Sequence, residues 1–149
     1  YWTFDPLVAR NAHLNLNRLG AEIAEYVPDM YGADTGSELH SGMGTDRFVV
    51  TWHLRSRRVE AALADRPPDD APFPDAALVT DDARPDADPV RVEIPADIQA
   101  MKAESRERAR RWRVTTRRAL LHYLGRGYRV VTLLRDEDGR VFYGLTRDA

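Results

Sequence analysis

Residues 2–21 read WTFDPLVARNAHLNLNRLGA, and this stretch predicts a strand that leads directly into a helix. The aromatic start at Tyr1–Phe4 is typical of a short strand, which the Asp-Pro pair after it ends. Apolar residues then recur at close to helical spacing from Leu7 to Leu19. Gly20 is a typical residue to end a helix.

The segments that follow predict two more strands and a short helix. Residues 22–27 and 48–54 have the composition of strands, and residues 56–64 favour a short helix. Residues 28–46, between the two strands, are rich in Gly, Asp and Ser and predict a long loop. Loops longer than about 12–15 residues inside a domain are often functional, so this loop is a candidate site.

A change of composition divides the chain into three parts. Residues 65–89 hold six of the nine prolines and eight aspartates, and such a stretch buries too little apolar surface to order itself. We therefore expect a first lobe over residues 1–64, a linker or loosely draped loop over residues 65–89, and a second lobe over residues 90–149.

The second lobe predicts a β-α-β-β arrangement. Residues 90–94 alternate as a strand does, and one long helix of about seven turns follows, from Pro95 to the glycines after Leu124. Residues 128–134 and 141–145 predict a hairpin that turns at an Asp-Gly pair. The fold class expected for the whole chain is α+β.

Composition excludes several classes of protein. The chain has 149 residues, a formal net charge of −2 and no cysteine, which excludes disulfide frameworks, thiolate zinc sites and cysteine nucleophiles. No apolar run approaches the roughly 18 residues that a membrane span needs, and we find no signal peptide. We expect a cytoplasmic protein with no membrane partner.

Sequence motifs for metal, nucleophile and phosphate chemistry are absent. The four histidines form no pair at zinc-ligand spacing on a predicted helix, so no metal is expected. No Gly-x-Ser-x-Gly elbow occurs. The Gly-x-Gly sequences at 42–44 and 125–127 each lead into a strand rather than a helix, and we interpret both as turn or cap glycines.

The long predicted helix is strongly basic. From Lys102 to Arg129 the sequence holds ten basic and two acidic residues. The guanidinium group of arginine can donate two parallel hydrogen bonds to a phosphate, so an anion or nucleic-acid site is one hypothesis. The favoured interpretation is a solvated helix face, or a partner for the chain's own Asp-rich segment. Four of the arginines form one stripe at helical spacing: Arg106, Arg110, Arg113 and Arg117.

The first lobe resembles part of the GNAT acyl-CoA N-acyltransferases. Residues 2–21 are similar to the fifth strand and fourth helix of that fold, where a strand precedes the pattern N-x-x-A-x-x-x-Y-x-x-x-G-F. With residues 22–27, Tyr31-Gly32 and the Thr45–Phe48 segment before Trp52, they resemble an uncharacterised bacterial GNAT-like subfamily. The later Trp112-Arg113 and Gly127-Tyr128 sequences resemble the C-terminal part of that subfamily.

The sequence departs from the family pattern at important positions. The family's helix Asn, Ala and Tyr fall on Ala9, Ala12 and Leu16, so the Tyr that often protonates the leaving CoA thiolate is replaced by leucine. The pyrophosphate loop, which the resemblance places upstream of Tyr1, is not found. We therefore expect the chain to be the C-terminal part of a larger GNAT-like protein, with one wall of the acyl-CoA cleft.

The resemblance implies transfer of an acyl group from acetyl-CoA or another acyl-CoA to a small-molecule amine, which attacks the thioester directly. Asn11 and Asn15, one helical turn apart, are expected to contact the pantetheine amides. The resemblance places the loop over residues 28–46 near the amine acceptor. The candidate residues around that loop are Tyr26, Tyr31, His40 and Asp46 for catalysis and Arg47 for substrate binding.

Two other hypotheses stay open. One is a binding or structural module that keeps the fold without chemistry, which Leu16 supports. The other is an anion or nucleic-acid binder that uses the arginine-rich helix, although nucleic acid is the less expected partner. We expect the isolated chain to be inactive. Because an unpaired strand edge at Trp2–Phe4 tends to find a partner, we also expect a homodimer or higher assembly.

Overall fold

The computed structural model describes residues 2–28, 46–64, 76–80 and 83–147. These ranges form a mixed α+β structure with two sheets, seven strands and four α-helices. The elements, in chain order, are β1 (Trp2–Phe4), α1 (Ala9–Ala12) with a π-helical continuation (His13–Arg18), β2 (Glu22–Val27), β3 (Arg47–Thr51), α2 (Arg57–Leu63), β4 (Ala77–Val79), β5 (Val90–Ile94), α3 (Ile98–Glu104), α4 (Arg106–Leu124), β6 (Arg129–Arg135) and β7 (Val141–Thr146).

The first sheet has the strand order β1-β3-β2 and is antiparallel throughout. Phe48 of β3 stands opposite Phe4 on one side and Tyr26 on the other. All three rings are buried, and Phe48 contacts both neighbours edge to face at 5.6 Å between centroids. The predicted strands of the first lobe are confirmed, with β3 ending at Thr51 rather than residue 54.

The second sheet has the strand order β4-β5-β7-β6. Its strand β4 lies inside residues 65–89, which we expected to form a linker or draped loop, so this expectation is corrected for residues 77–79. The short apolar run there interrupts the Pro/Asp composition and pairs in parallel with β5, where Val79 stands opposite Val92. Both valines are buried, so this short segment makes apolar contacts that stabilise it as a strand.

The single long helix predicted for the second lobe is two helices, α3 and α4. The break lies at Ser105, whose backbone is extended at φ −157° and ψ 109°. The Ser105 hydroxyl accepts a hydrogen bond from the Arg108 amide at 3.2 Å and so caps the start of α4. Helical periodicity continues across the break, and for this reason the sequence pattern predicted one helix.

The same topology occurs twice along the chain. In residues 2–51, β1 leads through a helix to β2, and β3 then inserts between them. In residues 90–146, β5 leads through two helices to β6, and β7 inserts between those strands in the same way. Each inserted strand is antiparallel to both neighbours. We call these β-α-β-β arrangements unit 1 and unit 2.

The repetition extends to local irregularities. In β2 and β6 the pairing register shifts at the third residue of the strand, at Ala24 and Val131 respectively, which marks a β-bulge in each unit. A glycine with positive φ lies two residues before each of these strands: Gly20 at 68° and Gly127 at 85°. Left-handed backbone is accessible to glycine at little cost, so both helix-to-strand turns depend on the residue type.

Unit 1 and helix α2 together cover the outer edge of β6. The Asn17 side chain donates to the Leu133 carbonyl at 2.9 Å and accepts from the Leu133 amide at 3.2 Å, as a neighbouring strand would. The Thr132 hydroxyl also donates to the side-chain oxygen Oδ1 of Asn17 at 3.2 Å. The Arg58 guanidinium donates to the carbonyl of Val131, the bulged residue, at 2.5 Å. These bonds satisfy backbone groups that an edge strand would otherwise expose.

Candidate functional site

A buried carboxylate at the end of the long loop joins three elements. Asp46 lies directly before β3 and is fully buried. Tyr26 of β2 donates its hydroxyl proton to Asp46. Arg117 of α4 binds the same carboxylate with two hydrogen bonds, of 2.8 Å from Nε and 2.6 Å from Nη2. Asp46 therefore connects unit 1 to the main helix of unit 2.

A second ion pair lies beside the first. Arg113, one turn before Arg117 on α4, is 5% exposed and donates two hydrogen bonds of 2.7 Å to the carboxylate of Asp5. Arg47 approaches the same carboxylate at 3.7 Å and donates to the Asp46 carbonyl at 2.8 Å. The site thus contains two carboxylates, three guanidiniums and one phenol; we call it the junction network.

Burial and hydrogen bonding fix the protonation of Tyr26. Burial, followed by the hydrogen bond and charge of Asp46, raises the pKa of the Tyr26 phenol well above its ordinary value. For Arg113, burial by itself would lower the pKa, but the hydrogen bonds and charge of Asp5 outweigh it and the pKa is raised. Arg113 is therefore ionised and Tyr26 is protonated at neutral pH.

The junction network joins residues at the two ends of the predicted loop. The predicted loop spans residues 28–46. Tyr26 lies just before its start and Asp46 is its last residue, so the hydrogen bond between them closes the base of the predicted loop. Of the predicted catalytic residues, the structure brings Tyr26 and Asp46 into contact. Arg47, which was predicted to bind substrate, lies beside them. Tyr31 and His40 lie outside the described residues.

Of the two predicted pantetheine-binding asparagines, Asn15 already uses its side chain in hydrogen bonds within the chain. The Asn15 amide donates to the Asn11 carbonyl at 2.8 Å and accepts from the Trp2 indole at 2.7 Å, and Asn15 is 5% exposed. The two residues are one turn apart, as expected. Leu16 is 2% exposed and lies in the core.

The arginine stripe of the long helix has a divided role. Arg113 and Arg117 bind aspartates of unit 1, which matches the idea of an internal partner, although those aspartates are not in the Asp-rich segment. Arg106 and Arg110 of the same stripe are exposed. Helical spacing identified the stripe, but nothing in the sequence identified Asp5 and Asp46 as its partners.

The structure shows no metal site and no membrane helix within the residues it describes. No group of three or more His, Asp or Glu side chains there could hold a metal ion. No described helix is both long enough and apolar enough to cross a membrane. The Gly125–Gly127 sequence ends α4 and turns the chain into β6, which agrees with its interpretation as a turn. The other Gly-x-Gly sequence, at 42–44, lies outside the described residues.

Comparison with known proteins gives no relative of this chain. No protein-family model, no curated protein and no solved structure matches it.

Proposed function

We propose that the chain is the C-terminal part of an acyl-CoA-dependent N-acyltransferase, and that it carries one wall of the acyl-CoA cleft together with the loop that receives the amine. The co-substrate is acetyl-CoA or another acyl-CoA, and the acceptor is a small-molecule amine. In such a reaction the amine attacks the thioester carbonyl directly, so the protein acts by positioning the two substrates and removing a proton.

The observation that carries the proposal is the closed base of the 28–46 loop. The Tyr26–Asp46 hydrogen bond and the two hydrogen bonds from Arg117 to Asp46 hold that base against α4. Functional groups are held best when the elements beneath them are rigid. The resemblance over residues 2–21 adds support, because unit 1 has the element order strand, helix, strand, strand that the resemblance implies.

The roles within the site follow from burial. Tyr26 and Asp46 are buried and bonded to each other, so we assign them to positioning the loop rather than to proton transfer with the substrate. Arg47 is partly exposed beside them and suits a carboxylate or phosphate on the substrate. Tyr31 and His40, within the loop, are then the candidate acid and base.

The test is acyl transfer by the natural protein that contains this chain. Incubation with acetyl-CoA or succinyl-CoA and a panel of amines should release free CoA, measured with a thiol reagent, only when an accepted amine is present. His40→Ala and Tyr31→Phe should lower kcat. His53→Ala is the matched control, because His53 is an exposed histidine beyond the end of β3. Absence of CoA release with every amine and both thioesters would contradict the proposal.

A second function is favoured by one observation. Leu16 is buried where the family has its acid, so a module that keeps the fold without chemistry is the alternative. The two functions differ in binding: the catalytic one requires acyl-CoA to bind the natural protein, and the non-catalytic one does not. Isothermal titration with acetyl-CoA therefore separates them. The assembly state, a homodimer by expectation, is measured separately by light scattering.

A further inference from the structure

A cleft of about 460 Å³ lies between unit 1 and unit 2, away from the junction network. One wall is the face of α1 and the π-helical segment that carries Arg10, His13 and Asn17. The other wall is the end of β6, at Leu133 and Arg135, with the adjoining start of β7. Its size falls within the range of about 300–1,000 Å³ that ligand sites occupy.

The floor of the cleft is the outer edge of β6, next to the part of that edge that Asn17 covers. The backbone amide and carbonyl of Leu133 bond to Asn17, so they face away from β7. In an antiparallel pair, the backbone N–H and C=O groups of every second residue face away from the partner strand. The hydrogen bond from the Asp136 amide to the Arg140 carbonyl shows that Asp136 faces the partner strand, so the alternation continues past Leu133. Arg135 therefore presents its N–H and C=O beside the cleft, next along the edge from the position that Asn17 occupies.

The cleft is also cationic. Arg10 and Arg135 both line it and are both exposed. Within the described ranges, Arg10 has no carboxylate partner, and Arg135 makes only a 3.4 Å bond to the Gly139 carbonyl. His13 adds a third nitrogen-bearing group, which contacts the Asn17 amide at 3.2 Å. Two guanidiniums with no competing carboxylate suit an oxyanion.

We propose that this cleft binds the C-terminal end of an extended peptide. The peptide backbone would extend the edge of β6 at Arg135, and the terminal carboxylate would bind Arg10 and the Arg135 side chain. Strand addition supplies backbone hydrogen bonds, and capture of a terminal carboxylate supplies direction and register. Asn17 already shows that this edge accepts an amide in the geometry of a strand. The site requires no acyl-CoA and is independent of the proposed transferase function.

The test is an NMR titration of the whole 149-residue chain with acetyl-Ala-Ala-Ala that has a free C-terminus. We expect shifts at the backbone amides of Arg135 and His13 and at the Asn17 side-chain amide. The same peptide with a C-terminal amide, and acetate alone, should each bind about tenfold more weakly or worse, because one lacks the charge and the other the backbone. Equal affinity for acetate would overturn the strand-addition part of the proposal.

Variants separate the charge from the backbone contribution. Arg10→Gln should weaken binding of the free peptide by about tenfold. Arg135→Pro should weaken it more than Arg135→Gln, because only proline removes the outward N–H, and an edge position tolerates proline. Arg18→Gln is the matched control, since Arg18 is exposed on the same π-helical segment and does not line the cleft.

Two results would contradict the site. One is an equal loss of binding in Arg18→Gln, which would indicate attraction to overall positive charge. The other is the absence of shifts at the cleft in the wild-type chain. Ala96→Trp, at an exposed position that lines the cleft, should block the peptide without loss of a charge, and far-UV circular dichroism checks that each variant folds.

Discussion

Phe48 and Tyr143 occupy the same position in their respective sheets and contact each other edge to face, with ring centroids 5.4 Å apart and planes at 82°. Each lies on the middle strand of its sheet. Phe48 pairs with Tyr26 and Tyr143 pairs with Leu133, and each of these partners lies two residues after the β-bulge of its strand. Tyr143 also donates its hydroxyl proton to the Pro6 carbonyl. The two units therefore meet at equivalent residues and share one apolar core.

Gly20 and Gly127 lie in equivalent helix-to-strand turns, so alanine variants at the two positions measure how much the free energy of unfolding depends on glycine in each turn. A Cβ atom at Gly20 would lie 2.7 Å from the Arg58 carbonyl oxygen and 2.9 Å from the Val59 Cα, whereas nothing lies within 4 Å of one at Gly127. Both alanine variants suffer the strain of positive φ, about 1–2 kcal/mol. Only Gly20→Ala adds a backbone clash, so we expect it to destabilise by about 3 kcal/mol or more.

Urea denaturation of the two glycine variants measures the difference directly. Gly127→Ala serves as the control for Gly20→Ala, because the two positions have similar φ angles and differ in their surroundings. Equal losses in the free energy of unfolding would show that α2 can move away from the turn, contrary to this expectation.

Asn17 is expected to contribute to the stability of the contact between the units. Asn17→Ala removes its bonds to Leu133 and leaves that residue's N–H and C=O without their side-chain partner. We expect a loss of about 1–3 kcal/mol in the free energy of unfolding and faster hydrogen exchange at the Leu133 amide. Asn11→Ala is the matched control, since no side-chain hydrogen bond of Asn11 occurs within the described residues. Unchanged exchange at Leu133 would contradict the role assigned to Asn17.

The sequence predicted the elements better than it predicted their partners. Strand and helix positions follow from local composition, so β2, α2 and the β6–β7 hairpin were placed to within a few residues. The break at Ser105 was missed because helical periodicity continues across it. β4 was missed because three residues are too few to outweigh the Pro/Asp composition around them.

The junction network could be predicted only in part. Tyr26, Asp46 and Arg47 were chosen because they adjoin a long polar loop. Arg117, which binds Asp46, and Arg113, which binds Asp5, each lie more than 60 positions from their partner in the sequence. A charge stripe on a helix does not indicate which arginines become buried. Nothing in the sequence indicated the role of Asn17. A side-chain amide that bonds the backbone of a strand edge can be recognised only when the position of that strand is known.

Removal of Arg117 should strongly destabilise the chain. Arg117→Gln leaves the fully buried Asp46 without its two-bond guanidinium partner, and breaking a buried ion pair from one side costs about 3–5 kcal/mol. Arg108→Gln, at an exposed position on the same helix, should change stability by less than about 0.5 kcal/mol. Thermal and urea denaturation of both variants give the comparison. Similar small losses in the two variants would indicate that Asp46 keeps enough partners without Arg117.

Stability should fall at alkaline pH because of Tyr26. Its pKa in the folded state is raised above the ordinary value of 10.0, so the folded chain keeps the phenol proton that the unfolded chain loses. The stabilisation is therefore fully present below about pH 10 and decreases as the pH rises from there towards the folded pKa. Each such tyrosine contributes a slope of about 1.4 kcal/mol per pH unit, and buried Tyr143, whose pKa burial also raises, acts in the same direction.

Urea denaturation from about pH 8 to about pH 11 should show this decline, and Tyr26→Phe, although less stable at neutral pH, should show a shallower one. Identical slopes for the variant and the wild-type chain would mean that Tyr26 titrates in the folded state as it does in the unfolded state, and the phenol would then not be held by Asp46.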